Sequence, residues 1–190
     1  VGSGEVTIKG QKINYKSTAG TIPVWNDKGK VIANCFYTYY ERADINNKAN
    51  RPIMFSFNGG PGSASVWMHL AYTGPKVLNI DDEGYPVQPY GFHENQYSIL
   101  DVADIVYIDP VNTGFSRTIG ENPVKSNFFG VEADIKYLAE WINTFVNRNS
   151  RWASPKYLIG ESYGTTRVSG LALELQHSQW MYVNGVILVS

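Results

Sequence analysis

The chain contains 190 residues, enough for one sizeable domain with a hydrophobic core. Its residues are 43% hydrophobic and 14% aromatic, a composition that excludes a disordered or collagen-like chain. The formal net charge of −1 gives no basic footprint for nucleic acid, and no apolar run approaches the roughly 18 residues of a membrane span. We therefore expect no nucleic-acid partner and no membrane partner.

The first part of the chain, residues 5–41, alternates apolar and polar residues in the manner of antiparallel β-strands. Turn-forming residues at 26–29 separate two of these runs. The single cysteine, Cys35, lies in one of the alternating runs. It excludes an internal disulfide bond, and its position predicts a small, buried, apolar side chain.

From residue 52 the pattern changes to alternating strands and helices, which predicts an α/β fold. Short apolar runs indicate four buried strands, at residues 52–57, 103–109, 156–161 and 183–190. A segment at about 126–149 places apolar residues three and four positions apart, which predicts an amphipathic helix capped by Ser126. The segment 79–98 is long and polar enough to line a site, and its acidic residues 81–83 predict a solvated turn.

The stretch "LIGESYGTTR", residues 158–167, carries the strongest chemical signal. It places Ser162 between Gly160 and Gly164, with a buried strand before it and a helical pattern after it. This is the context of a nucleophile elbow, in which a sharp turn exposes the serine hydroxyl next to the free N–H groups of a helix start. An ordinary strand-to-helix turn is the alternative for this pentapeptide taken alone.

A second glycine-rich motif, "NGGPGSAS" at residues 58–65, also follows a buried strand and opens a helix-like segment. Its glycines and proline indicate an unusual backbone path that leaves N–H groups exposed. Acyl transfer requires such donors, because its tetrahedral intermediate carries an oxyanion. The two motifs, in this order, together predict a serine hydrolase of the α/β-hydrolase fold.

Four blocks of the chain resemble the serine carboxypeptidase family. They are "FNGGPGSAS" at 57–65, "IDPVNTGFS" at 108–116, "YLIGESYGTTR" at 157–167 and "VNGVILVS" at 183–190. Two features look more like the bacterial members of the family. They are the form "GESYGTTR" and, in the first block, a serine where many members have cysteine. The resemblance covers about residues 52–190 and implies the N-terminal part of a single α/β-hydrolase domain, residues 1–190.

The resemblance implies a role for each matching residue. Ser162 looks like the nucleophile, and the backbone N–H groups of Gly60 and Tyr163 look like the oxyanion hole. No metal and no cofactor is implied. The family also implies secretion or a periplasmic location.

Three further residues resemble the group that holds the C-terminal carboxylate of the substrate: Asn58, the N–H of Gly59 and the side chain of Glu161. Because two carboxylates repel each other, this role implies a protonated Glu161 that donates a hydrogen bond. One position departs from the family: many members have a glutamate where this chain has Tyr72.

A base for Ser162 is not apparent. His69 and His93 precede the nucleophile, whereas in this fold the triad runs Ser, Asp, His along the chain. His177 follows by fifteen residues on the same helix, which puts it on the order of 20 Å away. We therefore expect that the cap, the catalytic Asp and the catalytic His lie outside these 190 residues.

Three functions remain open from the sequence. The first is a serine carboxypeptidase acting on peptides with a free C-terminus, inactive without its C-terminal half, which would then be a partner of this chain. The second is a related esterase, acyltransferase or lyase. The third is a non-catalytic fragment. Asn58 and Glu161 favour the first over the second, and the absent Asp and His favour the third for the 190 residues alone.

Overall fold

The computed structural model describes residues 1–120 and 125–190. Its strands are β1 Gly2–Ile8, β2 Gln11–Trp25, β3 Val31–Arg42, β4 Ile53–Phe57, β5 Lys76–Leu78, β6 Phe92–Glu94, β7 Asp104–Ile108, β8 Arg117–Thr118, β9 Lys156–Glu161 and β10 Gly185–Val189. The helices are α1 Val131–Arg148 and α2 Tyr163–Gln179, with 3-10 turns at Lys48–Asn50, Ile99–Asp101 and Lys125–Asn127 and a π-helical segment at Met68–Thr73. No helix among the described residues is long and apolar enough to cross a membrane.

The main sheet is mixed, with the strand order β1-β2-β3-β7-β4-β9-β10 and β8 paired to β3. β1, β2 and β3 pair antiparallel, and β3 pairs antiparallel with β7. From β7 onward the pairs β7–β4, β4–β9 and β9–β10 are parallel. The antiparallel start and the positions of the four later strands are thus confirmed, with small shifts in their ends. The burial predicted for the last of them is wrong, because among the described strands β10 pairs only with β9 and its residues 186–189 are exposed.

Two apolar clusters cover the two faces of the sheet, because successive strand residues point to opposite sides. In β4, Phe55 and Phe57 belong to the cluster that includes α1 and α2, whereas Met54 belongs to the other. Every residue of β4 and of β7 is buried, as expected for central strands covered on both faces. Cys35 is buried in the first cluster, as predicted, and burial raises the pKa of its thiol well above the ordinary range.

Helix α1 begins later than the sequence predicts. Ser126 lies in a separate 3-10 turn and does not cap the helix, so that prediction is wrong. The N-cap is Gly130, whose φ of 115° lies in a region that favours glycine and separates the turn from the helix. The predicted apolar stripe is otherwise present, since Leu138, Ile142 and Phe145 are fully buried against the sheet.

The carboxyl ends of three parallel strands meet at one edge of the sheet. Asn58 follows β4, Asp109 follows β7 and Ser162 follows β9. This edge is where ligands bind in open α/β sheets. The segment predicted as a loop at 79–98 contains β6, which forms a small two-stranded sheet with β5.

A buried ionic network lies at the opposite edge, where the same strands begin. Arg151 is fully buried and donates to Asp104 Oδ2 at 2.5 Å, while Arg51 donates to Asp104 Oδ1 at 3.1 Å. Arg151 also donates to the backbone carbonyl of Arg51 at 2.8 Å. The network joins the starts of β4 and β7 to the loop before β9 and keeps their ends in register.

Candidate active site

Ser162 lies at the turn between β9 and α2, as the sequence predicts. Its backbone has φ 56° and ψ −126°, a combination that is strained for a residue with a side chain. The turn is held by the Ser162 N–H donating to Val189 O at 2.9 Å and by the Thr165 N–H donating to Ser162 O at 2.9 Å. The side chain is exposed beyond the strand end.

The two glycines that flank Ser162 are required by close packing. A Cβ on Gly160 would lie 2.1 Å from the carbonyl oxygen of Gly164. A Cβ on Gly164 would lie 2.9 Å from the carbonyl oxygen of Phe57, at the end of β4. A side chain at Gly160 would therefore push the start of α2 away from β9, and one at Gly164 would push it away from the end of β4.

The glycine-rich loop lies directly against the elbow. A Cβ on Gly59 would lie 2.5 Å from the Tyr163 nitrogen and 2.9 Å from Ser162 Cβ. Gly60, the next residue, has φ 106°. Among the described residues, neither the Gly60 N–H nor the Tyr163 N–H donates to another protein group, so both can serve a ligand. Tyr163 also begins α2, whose positive dipole end favours a negative charge there. Their role as an oxyanion hole stays a prediction.

Asn58 and Glu161 meet beside Ser162 although they are 103 positions apart in the sequence. Asn58 Nδ2 donates to Glu161 Oε2 at 3.0 Å. The amide is fixed from its other side, because its Oδ1 accepts the Met68 N–H at 2.9 Å. Asn58 is only 1% exposed, whereas Glu161 is partly exposed and can meet a ligand.

A cavity of about 450 Å³ opens next to Glu161. Trp67 and Tyr72 line it, together with the turn at residues 81–84. The turn is exposed, as predicted, and it also lines this cavity beside Glu161, a contact that no local sequence pattern indicates. Tyr72 is 59% exposed and shares the cavity with Glu161.

Asp109 anchors the glycine-rich loop, a role that the sequence analysis missed. Its Oδ1 accepts the Ser65 N–H at 3.0 Å, and its Oδ2 accepts the Phe115 N–H at 3.3 Å. Burial raises the pKa of Asp109, and the two N–H groups oppose that rise. The signal was present in the block "IDPVNTGFS", to which no residue role had been given. Arg167, in the elbow block, was likewise assigned no role.

None of the three histidines supplies a base to Ser162 within the part of the chain that the structure describes. His69 Nε2 lies 2.8 Å from the Tyr40 hydroxyl, and its ring stacks on Tyr107 with a centroid separation of 4.5 Å. His93 Nδ1 lies 2.7 Å from Asn79 Oδ1, and His177 lies in the last turn of α2. Among the described residues no histidine hydrogen-bonds to Ser162. The same residues contain no group of three or more metal-ligating side chains.

The fold and the strained serine turn define the class of protein. The structure aligns with that of Kex1 from Saccharomyces cerevisiae, a prohormone-processing carboxypeptidase, with a TM-score of 0.69 and 21% identity over 90% of this chain and 38% of the Kex1 chain. The sheet order, the elbow after β9 and this likeness show an α/β-hydrolase fold.

The serine carboxypeptidase family profile matches residues 8–184, so the chain belongs to the serine carboxypeptidase family. Serine carboxypeptidase-like 29 of Arabidopsis thaliana is 26% identical over 188 residues, which are 95% of this chain and 36% of that protein. Vitellogenic carboxypeptidase of Aedes aegypti is 28% identical over 149 residues, 77% of this chain and 29% of that protein. The chain thus spans about a third of the length of these relatives.

Proposed function

We propose that the protein is a serine-type carboxypeptidase that hydrolyses the last peptide bond of peptides with a free C-terminus. The observation that carries this proposal is the hydrogen bond between Asn58 and Glu161, directly beside Ser162. An exopeptidase needs hydrogen-bond donors at this place, because it must bind the terminal carboxylate next to the bond that it cleaves. An esterase acting on neutral substrates has no such need.

In the proposed reaction, Ser162 Oγ attacks the carbonyl carbon of the last peptide bond while a base takes its proton. The oxyanion that forms accepts hydrogen bonds from the N–H groups of Gly60 and Tyr163. The C–N bond then breaks, and the terminal amino acid leaves with the proton that the base held. Water finally hydrolyses the ester on Ser162 and regenerates the hydroxyl.

The same proposal assigns the terminal carboxylate to three groups: the second N–H of the Asn58 amide, the Gly59 N–H and Glu161. Glu161 can donate a hydrogen bond only as a neutral acid. A neutral Glu161 also avoids placing two negative charges side by side.

We further propose that another part of the same protein supplies the catalytic Asp and His. Two observations support this. Among the described strands, β10 pairs only with β9, and its residues Val186, Ile187, Leu188 and Val189 are exposed. The chain also covers only 38% of the Kex1 chain. Further strands packed on β10 would cover its apolar side chains and bring a base to Ser162.

The test compares two substrates in the longest form of the protein that its gene encodes. A peptide with a free C-terminus and the same peptide with a C-terminal amide are assayed, with Ser162→Ala as the inactive control. We expect kcat/KM for the free acid to exceed that for the amide by at least about 10-fold, since a hydrogen bond to a charged group contributes about 1.5–3 kcal/mol. Equal values would contradict the carboxypeptidase assignment.

The variant Glu161→Gln tests the carboxylate site itself. Glutamine keeps a hydrogen-bond donor and cannot ionise. We expect Glu161→Gln to keep the preference for the free acid over the amide, because the donor remains, and Glu161→Ala to lose most of it through a higher KM for the free acid. The KM for the amide should change little in both variants. A wild-type preference in Glu161→Ala would remove Glu161 from substrate binding.

A related esterase or acyltransferase is the second candidate. The observation that favours it is the aromatic wall that Trp67 and Tyr72 give to the cavity beside Glu161. Turnover of neutral esters by wild type, with no preference for free-acid peptides, would support this candidate over the first.

A further inference from the structure

Arg167 lies in the first half of α2 and is only 3% exposed. Its Nε donates to Asp134 Oδ2 at 2.7 Å, and its Nη1 donates to the backbone carbonyl of Asn58 at 2.9 Å. The guanidinium also faces the ring of Tyr163, with a separation of 5.2 Å from the ring centroid. One side chain thus contacts both the elbow and the glycine-rich loop.

Asp134 links Arg167 to the block at residues 108–116, which follows β7. Its Oδ1 accepts a hydrogen bond from the Tyr137 hydroxyl at 3.2 Å. The Tyr137 hydroxyl in turn accepts the Val111 N–H at 3.1 Å. The chain of contacts therefore runs from Val111 in the block 108–116, through two residues of α1, to Arg167 and Asn58.

The carbonyl that Arg167 holds belongs to the peptide that joins Asn58 to Gly59. A peptide unit is planar, so the direction of its C=O determines the direction of its N–H. Fixing the Asn58 carbonyl therefore fixes the Gly59 N–H, which points to the opposite side. A cation bound to the carbonyl also polarises the peptide and makes its N–H a stronger donor.

We propose that Arg167, held in place by Asp134, is a positioning residue for the binding of the substrate's terminal carboxylate. It acts through the Asn58–Gly59 peptide and does not touch the substrate. This inference rests on the proposed function, which assigns the Gly59 N–H to that carboxylate.

Stability alone gives no reason for this arrangement. A buried ion pair is commonly replaced by apolar residues with little loss or even a gain of stability. The planar fork of arginine, in contrast, can donate to Asp134 and to the Asn58 carbonyl at once while it faces an aromatic ring. A lysine at this position would provide a single point charge and could not reproduce that geometry.

The experiment measures acid-over-amide selectivity, the ratio of kcat/KM for a free-acid peptide to that for its amide. Arg167→Lys, Arg167→Met and Asp134→Asn are made in the longest form of the protein that its gene encodes. Each rate is divided by the fraction of enzyme molecules that are active, which is measured by titration with a fluorophosphonate. The matched control is Arg151→Lys, which alters an equally buried arginine–aspartate pair at the opposite edge of the sheet.

For Arg167→Met we expect selectivity to fall on the order of 10-fold, mainly through a higher KM for the free acid, since one charge-assisted contact is lost. The selectivity of Arg167→Lys should fall less than that of Arg167→Met, and the selectivity of Arg151→Lys should equal that of wild type. If Arg167→Met does not fold, Arg167→Lys and Asp134→Asn decide the question by the same ratio.

Unchanged selectivity in the folded Arg167 and Asp134 variants, with only a lower melting temperature or active fraction, would overturn the inference and leave the proposed function intact. Absence of acid preference in wild type would instead overturn the proposed function, and this inference with it.

Discussion

Ser162 and the glycines around it illustrate how single residues determine the site. Ser162 has a positive φ, and three glycines, 59, 160 and 164, lie where any Cβ would meet backbone atoms at less than 3.0 Å. The backbone of the elbow and that of the glycine-rich loop are therefore in direct contact. A side chain added at their interface would move the N–H groups that we assign to the oxyanion.

Gly59→Ala tests this contact. The added Cβ would lie 2.5 Å from the Tyr163 nitrogen, so we expect the loop to shift and the reaction rate to fall on the order of 100-fold or more, as when one oxyanion donor is lost. Gly91→Ala is the matched control, because a Cβ there meets nothing within 4 Å and the backbone is not in the left-handed region. The measurement is kcat/KM in the longest encoded form. A wild-type rate in Gly59→Ala would contradict the close packing.

At the scale of the elements, the parallel strands are held at both ends by polar groups. Asp109 and Arg167 hold the loops at the carboxyl ends, and the network of Asp104, Arg51 and Arg151 holds the amino ends. The first set supports the site, whereas the second lies at the far edge. Changes at the carboxyl ends of the strands should therefore affect mainly catalysis, and changes at their amino ends should affect mainly stability.

Arg151→Met tests the far edge. The variant leaves Asp104 buried with one arginine fewer, so we expect a loss of about 3–5 kcal/mol in the free energy of unfolding. Arg148→Met on α1 is the control, because Arg148 is exposed and its guanidinium lies 5.9 Å from the ring centroid of Trp25 at the surface. Urea denaturation followed by circular dichroism measures both. Equal midpoints for the two variants would show that the network contributes little.

His69 connects the π-helical segment Met68–Thr73 to the sheet and makes stability depend on pH. Burial lowers its pKa to about 4, and its ring faces the hydroxyl of Tyr40 and the ring of Tyr107. In the unfolded chain a histidine titrates near 6.5. Between these values the unfolded state binds more protons, so the folded state loses stability as the pH falls from about 6.5 to about 4.

The expected loss from His69 is at most about 3–4 kcal/mol, from 1.36 kcal/mol for each of about 2.5 pKa units. In His69→Phe this contribution should disappear, so the difference in unfolding free energy between wild type and variant should shrink as the pH is lowered. Denaturant titrations at several pH values from 4 to 7 measure it. A difference that does not change with pH would show that His69 titrates as an exposed histidine.

At the scale of the whole molecule, the described part contains a complete elbow and glycine-rich loop but no histidine in contact with Ser162. We expect the isolated 190-residue chain to react with a fluorophosphonate far more slowly than the longest encoded form. Loss of a catalytic base reduces turnover on the order of 10⁶-fold in a serine protease. The measurement is the labelling rate of both forms, with Ser162→Ala as the blank. Rapid and stoichiometric labelling of the isolated chain would show that a base lies within it.

Much of this architecture is predictable from local patterns. The antiparallel start, the buried strands and the turn at Ser162 follow from periodicity and glycine spacing, which depend on residues close together in the chain. The start of α1 was predicted wrongly, because the preference of Ser126 for an N-cap competes with the backbone break at Gly130, and local propensity does not decide between them.

The sequence by itself determined the strand-to-helix turn at Ser162, the order of the motifs and the family resemblance, because each depends on a short contiguous stretch. Only the tertiary structure decided which distant residues meet. Asn58 reaches Glu161 across 103 positions, Arg167 reaches the Asn58 carbonyl across 109, and Asp109 reaches Ser65 across 44. These contacts exist because parallel pairing of β7, β4 and β9 brings their carboxyl ends to one edge, and that pairing order depends on packing of the whole sheet.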